Sequence, residues 1–478
     1  MNSSLKIKRE NIISILFLLC ECLGIGIFSI FIKNSNIQKI MISIGIMALL
    51  CMICSIYAVY RLNRKIENIF LLFILFAYLF SFGQCIMAIG GLELQNAVFS
   101  LSRGFFTSKE ILDTSLFVFI SIAVTCIGYC LSVDFVNSSF HNDSNMIKNC
   151  YKSKKHKIVK VGWILCVISI IPTLSLLCSD IITVSTFGYE ASLVKVTGIL
   201  KIFSLISGLF VSSILMLYTY EERHRTLVYT IIIGYFILQM AGGSRIEIFR
   251  LAVICLVISG MYRKELNRRK WIYIIVLGMV GIFALSLVSN IRNYIYLSDD
   301  IGELIKKAIQ NLWENNFIVA AINEMGNTQL INTLVYTKCP SEVPYQYGLS
   351  FLKMIWGIIP NFIGSAYTGY IGVDITFSPL YTVTSAGMGA SYISEGYWNF
   401  GYFSIAYFIL FGIFWGWIVK KFNEACKGKL LNPENIFVII YVMYYMVFLV
   451  RSESLGFGRS FVYYALIPYL LCKINGKR

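Results

Sequence analysis

The feature that most constrains this chain is a repetition: apolar blocks of about 20 residues, the length at which a helix crosses a hydrocarbon core, recur along its 478 residues. They fall near 11–32, 39–60, 68–90, 114–133, 161–178, 199–219, 226–241, 246–261, 271–290, 400–419, 434–450 and 458–473. The expected fold is therefore an all-α, polytopic transmembrane bundle of about 12 spans. Composition agrees, with 57% hydrophobic and only 14% charged residues. The first block follows Lys6, Lys8 and Arg9. It is too long for the core of a signal peptide and is succeeded by many blocks like it, so it is expected to be a retained first helix. Three stretches follow: 1–291 with spans one to nine, 292–398 as one long connection, and 399–478 with the last three spans.

Basic residues orient these spans. With the amino terminus in the cytoplasm, the inner segments collect Lys6, Lys8 and Arg9, then Arg61, Arg64 and Lys65, the runs KNCYKSKKHKIVK and RKELNRRK, and Arg223 and Arg225. With the lysines between 420 and 429 and the basic carboxyl end, they hold 26 of the 41 Lys and Arg. The opposite short turns hold few, which predicts that both termini are cytoplasmic. The net charge of +16 is then a matter of topology and calls for no nucleic acid. Most of the 14 cysteines, including CMIC at 51–54, lie inside apolar blocks as small core residues rather than metal or redox groups.

On this orientation the connection from 292 to 398 is extracytoplasmic. It is rich in Tyr, Phe and Trp without low-complexity tracts, so it is expected to be ordered and functional. Within it, Asp300 stands three residues before Glu303 as a capping box, and Leu304, Ile305, Ala308, Ile309, Leu312 and Trp313 share one helical face. That pattern suits an amphipathic helix on the bundle or at the lipid interface. The later FLKMIWGIIPNFIG is apolar but too short to span, and is expected to be interfacial or re-entrant.

The few basic residues at the outer helix ends are mainly arginines: Arg103, Arg245, Arg250, Arg292, Arg451 and Arg459. A guanidinium offers a planar fork of donors to phosphate oxygens and keeps its charge when partly buried, so such a cluster points to a lipid diphosphate. One arginine alone has an ordinary reading, snorkelling to lipid phosphate. Arg250 resists it. It lies about one turn inside its block, and an arginine at the membrane centre costs roughly 2.5–3.5 kcal/mol, so it needs a partner or a wet cavity. Arg245 follows Gly242 and Gly243, at amides that open the next helix, and Arg451 and Arg459 flank the turn SESLGFG.

The segment SAGMGASYISEGYWNFGYFSIAYF, residues 385–408, is the second informative stretch. Gly387, Gly389, Gly396 and Gly401 permit tight turns and close helix contact. Tyr397 and Trp398 suit an interfacial aromatic belt. Glu395 does not, and is either the partner of an arginine or a general base for a sugar hydroxyl. Asp374 is a second candidate base, and Tyr397 and Asn399 stand beside Glu395 as candidates for handling an acceptor.

The layout resembles the O-antigen and capsular repeat-unit polymerases, the Wzy-type enzymes of bacterial envelope polysaccharide synthesis. GGSRIEIFR after the seventh span, NIRNY at the close of the ninth, SEGYWNFGYFSIAYFILFG and the turn RSESLGFGRS carry the resemblance. It implies a GT-C-like bundle in the bacterial cytoplasmic membrane and a glycosyl transfer at the outer leaflet without metal or other cofactor. The growing glycan leaves its undecaprenyl diphosphate carrier and joins a hydroxyl of the next lipid-linked repeat unit. Negative charge builds on the leaving diphosphate, which arginines in a low-dielectric pocket stabilise. On this resemblance Arg245 and Arg292 serve catalysis; Glu395 joins them on the reading of the residues and not on the resemblance, as base or as the group that orients the acceptor. Arg250, Arg451 and Arg459 bind the diphosphate. The implied partners are undecaprenyl diphosphate-linked oligosaccharides and the lipid bilayer; a chain-length regulator would be a further partner, on which the sequence is silent.

Departures narrow the class. Metal-dependent lipid-linked glycosyltransferases show an acidic pair in the first outer loop, whereas KNSNIQ contains no acid. Sugar-nucleotide enzymes need a cytoplasmic catalytic domain, and no inner loop is long enough for one. His141, His156 and His224 all fall on the inner side, so the outer histidine base of the related ligases is missing. A flippase of lipid-linked oligosaccharide would use Glu21 in the first span, but it calls for related halves and midplane charges. No internal repeat is found, and the charges gather at the outer ends.

Overall fold

The computed structural model describes residues 2–32, 35–63, 67–92, 105–132, 145–187, 199–242, 246–263, 316–359, 390–428 and 432–474, with a few single positions between them. Among these residues every regular element is helical. In chain order they are α1 (Asn2–Ile32), α2 (Ile37–Asn63), α3 (Ile69–Ala88), α4 (Ser108–Ser132), α5 (Asn145–Phe187), α6 (Ile199–Tyr220), α7 (Arg225–Ala241) and α8 (Ile246–Val257). Then come α9 (Phe317–Met325), α10 (Thr328–Lys338), α11 (Leu349–Trp356), α12 (Tyr392–Phe400), α13 (Ser404–Cys426), α14 (Pro433–Met446), α15 (Leu455–Ser460) and α16 (Ile467–Ile474). A π-helical turn, Phe461–Leu466, joins α15 to α16.

Nine helical stretches among the described residues are long and apolar enough to cross a membrane, and the chain is a multi-pass membrane protein. Helices α7 and α8, with 17 and 12 residues, fall on two more of the expected blocks but are shorter than those nine. The block at 271–290 lies outside the described residues, as do most of the expected amphipathic helix at 300–322 and the part of FLKMIWGIIPNFIG beyond Ile359. What is described of the latter is α11, eight residues that turn Leu352, Ile355 and Trp356 outward.

The helices gather into two compact units that interleave along the chain. Unit one comprises 1–141, 322–421 and 446–458; unit two comprises 142–321, 422–445 and 459–478. These units cut across the three linear stretches, because the described end of the long connection packs with the first four helices.

Within unit one, α1 lies against α2 and α4, and α2 against α3. Polar anchors join them. Asn68 caps α3, its Oδ1 accepting from the Phe70 amide at 3.1 Å, while its Nδ2 donates to the Tyr129 hydroxyl of α4 at 2.9 Å. Glu21 of α1 accepts from Ser55 of α2 at 3.3 Å and from Tyr78 of α3 at 3.1 Å, so the acid inside the first span ties three helices together. In α13 the segment GIFWG brings backbone onto backbone: a Cβ on Gly412 would lie 2.0 Å from the Thr125 carbonyl, and one on Gly128 of α4 would lie 2.2 Å from that of Ile409. Close approach of this kind drives association where lipid offers no hydrophobic contrast. Hydroxyls of Ser115, Ser121 and Thr125 turn back to the carbonyl four residues earlier, so these three are satisfied within α4.

Unit two is organised by α5 lying along α6. The turn from α6 to α7 is locked by buried Glu221, which accepts from the Trp163 indole at 2.8 Å and from the amides of Arg223 and His224 at 2.8 and 3.2 Å. Burial alone would push this carboxyl up; the indole and the two amides outweigh it and hold it below the ordinary carboxylate range. Its folded pKa therefore lies below the unfolded one, about 4.3, so the stabilisation is complete above that pH and is lost as the pH falls through the folded value. Glu221→Gln is expected to lower the melting temperature at pH 7 and to shrink the difference between pH 7 and pH 3. Melts followed by tryptophan fluorescence in detergent check this; an unchanged pH dependence would remove the role.

Candidate active site

The sequence candidates fall into two clusters, one in each unit. In unit one, α12 begins with a capping box: Ser391 Oγ accepts from the Ser394 amide at 3.0 Å and Ser394 Oγ from the Ser391 amide at 2.9 Å. Ser391 also donates to Asn332 of α10 at 2.7 Å. At the next position, Glu395 is only 1% exposed. Its Oε1 accepts from Ser350 Oγ of α11 and from Ser454 Oγ, both at 2.8 Å, and its Oε2 accepts from the Ser454 amide at 2.8 Å. Asn399, one turn on, donates to Ser350 Oγ at 2.8 Å and accepts from the Gly348 amide at 3.0 Å. Helix α12 thus grips both the start of α11 and the turn SESLGFG. That turn lies on α11 at Gly458, where a Cβ would sit 2.4 Å from the Met354 carbonyl.

Among the described residues, the partners of Glu395 are serines and an amide rather than an arginine. Arg451 ends the turn Leu449–Arg451, which packs on α12, and places its guanidinium 5.7 Å over the Phe80 ring. Tyr397 and Trp398 do not form an interfacial belt: both are buried. Tyr397 packs edge-on against Phe117 at 5.0 Å and lies 4.9 Å from the Tyr336 ring. The reason is Gly401, whose φ of +54° folds α12 back against α13, while Gly396 lets the Phe408 ring come within 2.8 Å of where a Cβ would be. Arg103, Arg245, Arg292, Asp374, Gly387 and Gly389 lie outside the described residues.

In unit two a polar cavity of about 330 Å³ opens among helix ends. Its lining comes from the later parts of α5, α7 and α14 and from the early parts of α6, α8 and the last span. Because successive spans run in opposite directions, these are all the same end. Arg250 is buried in this wall, with Nη1 3.3 Å from Glu247 Oε1 and its guanidinium 4.9 Å over the Tyr445 ring. The Tyr444 hydroxyl donates to the other Glu247 oxygen. Both a partner and a cavity thus answer the cost of placing an arginine inside the span. Gln239 donates to the Tyr235 hydroxyl at 2.8 Å, and Asp180 adds a second carboxylate to the lining. Arg459 immediately precedes Ser460, which lines the cavity.

Several of these groups were missed by reading the chain. Tyr441, Tyr444 and Tyr445 stand at spacings of three and four, which puts them on one face of a helix, a signal that YVMYYM displays. A second signal is the π turn that carries Tyr464, since such irregularities recur at functional sites, but it exists only in the folded helix. Asp180, Ser350 and Ser454 have no local signature.

A family model described as O-antigen polysaccharide polymerase Wzy matches residues 11–477, nearly the whole chain. No curated protein and no solved structure matches it.

Proposed function

This chain belongs to the O-antigen polysaccharide polymerase Wzy family, and from that membership we propose that it joins undecaprenyl diphosphate-linked repeat units at the outer leaflet of the bacterial cytoplasmic membrane, within a GT-C-like bundle. The observation that carries this reading is the cavity of unit two. It sits at the helix ends that the positive-inside rule assigns to the outside, with Arg250 in its wall and Arg459 beside its lining. In the reaction the bond between the anomeric carbon and the phosphate oxygen breaks, its electron pair leaving with the diphosphate. A new bond forms from the anomeric carbon to an acceptor hydroxyl, whose proton passes to a base.

Arg245, Arg292, Arg451 and Arg459 neutralise the leaving diphosphate, worth more in a water-poor site than in bulk solvent. Arg250, already joined to Glu247, supports that site by shaping the cavity rather than by carrying the leaving charge. The three donors on Glu395 support an orienting role, fixing the turn that follows Arg451. Asn399 belongs to the same clamp, and Tyr397 to the aromatic packing behind it. Proton acceptance then falls to Asp374, unless the departing diphosphate is good enough that the acceptor needs only to be oriented.

Purified protein given synthetic undecaprenyl diphosphate repeat units is expected to produce a polymer ladder. Passage of labelled lipid between leaflets without a ladder would instead favour a flippase. The orientation has its own check: in a cysteine-free background, a cysteine at Ser341 is expected to react with impermeant thiol reagent from outside and one at Ser153 only from inside. The reverse pattern would overturn the placement.

A further inference from the structure

We propose that the cavity of unit two is a subsite for a neutral sugar residue of the lipid-linked substrate, and not for its diphosphate. This rests on the polymerase reading and names which part of that substrate the cavity takes. Charge is the first ground. Among the described residues the lining holds one cation, Arg250, and two carboxylates, Glu247 and Asp180. The guanidinium is bonded to Glu247 and stacked on Tyr445. A diphosphate entering here would face two carboxylates at close range with one committed cation to offset them, an arrangement that repels it. A sugar carries no charge and meets no such barrier.

Chemistry is the second ground. Sugar hydroxyls both donate and accept, and the cavity offers both functions: carboxylate oxygens accept, the Gln239 amide and the phenol groups do either. Sugars also present C–H faces, and tyrosine rings supply an apolar face with a polar tip. The volume, about 330 Å³, lies at the small end of ligand pockets, which run from about 300 to 1,000 Å³. Gly208 completes the shape. A Cβ there would lie 2.2 Å from the Tyr464 ring, so only glycine lets that ring stand where it lines the cavity. Arg459, next in the chain to Ser460, then provides cationic charge for the phosphates beside the sugar rather than among the carboxylates.

The test uses the full chain in nanodiscs and, as probe, the phosphate-free repeat-unit oligosaccharide released by mild acid from lipid-linked precursor of the producing cell. Saturation-transfer NMR is expected to show binding to the wild type and no displacement by inorganic pyrophosphate. Gly208→Leu is expected to weaken binding by about tenfold or more, and Tyr444→Phe, which removes only a hydroxyl and with it a donor to Glu247, by about fivefold on protein that has a lower melting temperature but is shown to be folded by gel filtration. In turnover Tyr444→Phe raises KM for the lipid-linked unit more than it lowers kcat. Equal binding to all three proteins, or displacement by pyrophosphate, overturns the subsite while ladder formation continues. Absence of a ladder from the wild type is a different failure, that of the polymerase reading itself.

Discussion

Arg459→Ala is expected to slow ladder formation by a factor on the order of 10²–10³, the loss that follows removal of one group stabilising charge at a reacting centre. Its position supports the size of the effect. The residue is the last but one of α15, one step before Ser460 of the cavity lining. Arg459→Lys should recover part of the rate, because an ammonium keeps the charge but loses the planar fork that grips phosphate oxygens. Arg451→Ala is expected to fall in the same range, with a further loss from its contact over Phe80. Arg223, at the opposite helix ends, is the control and should stay near wild type. Initial rates with synthetic lipid-linked units, on protein shown to be folded by gel filtration, measure all four. Retention of about a third of the wild-type rate by Arg459→Ala would remove it from the leaving-group site.

The second large effect concerns Glu395. Hydrogen bonds to a charged group are worth about 1.5–3 kcal/mol each, and Glu395 receives three. Such terms are not additive, yet Glu395→Ala strands three donors at once, the buried Ser350 hydroxyl and two part-buried groups of Ser454, and a loss of about 3 kcal/mol is expected. Ser454→Ala removes one hydroxyl and leaves the amide bond, costing about 1 kcal/mol. Glu395→Gln lies between: its oxygen can still serve the two hydroxyls, but its NH₂ then faces the Ser454 amide, donor against donor. If the carboxylate positions the turn after Arg451, thermal stability and ladder rate decline together through this series. A base would behave otherwise: Glu395→Gln would be nearly inactive, far beyond its loss of stability, while Ser454→Ala, though less stable, would stay near the wild-type rate.

Particular residues show how much of this was legible beforehand. The helices of the described spans coincide with blocks of apolar sequence, and Arg250 declared by its depth that it needed company. Gly401 and Gly396 were readable as turn and contact glycines, and the structure uses them so. Tyr397 and Trp398 were misread as a belt because aromatic residues near a span end look alike whether they face lipid or protein. The direction they face depends on how Gly401 folds α12 back, which no window of hydropathy reports. GIFWG carried its small-residue spacing openly, but its partner glycine on α4 is set by helix crossing.

Hydropathy and the placement of lysine and arginine are sums over neighbouring residues, so the chain alone determined that it is a membrane-spanning helical protein and, through the bias of its loops, which helix ends collect arginine. Which polar groups share a site is a different kind of property. Asp180, Gln239, Glu247 and Tyr444 come from four helices, and whether they meet depends on the rotation of each helix about its own axis. That rotation is set by contacts such as Gly208 against Tyr464. Only packing in three dimensions decides it, because a helix that turns by half a circle keeps its length, its apolarity and its end in the membrane while carrying every one of its polar side chains to the other side.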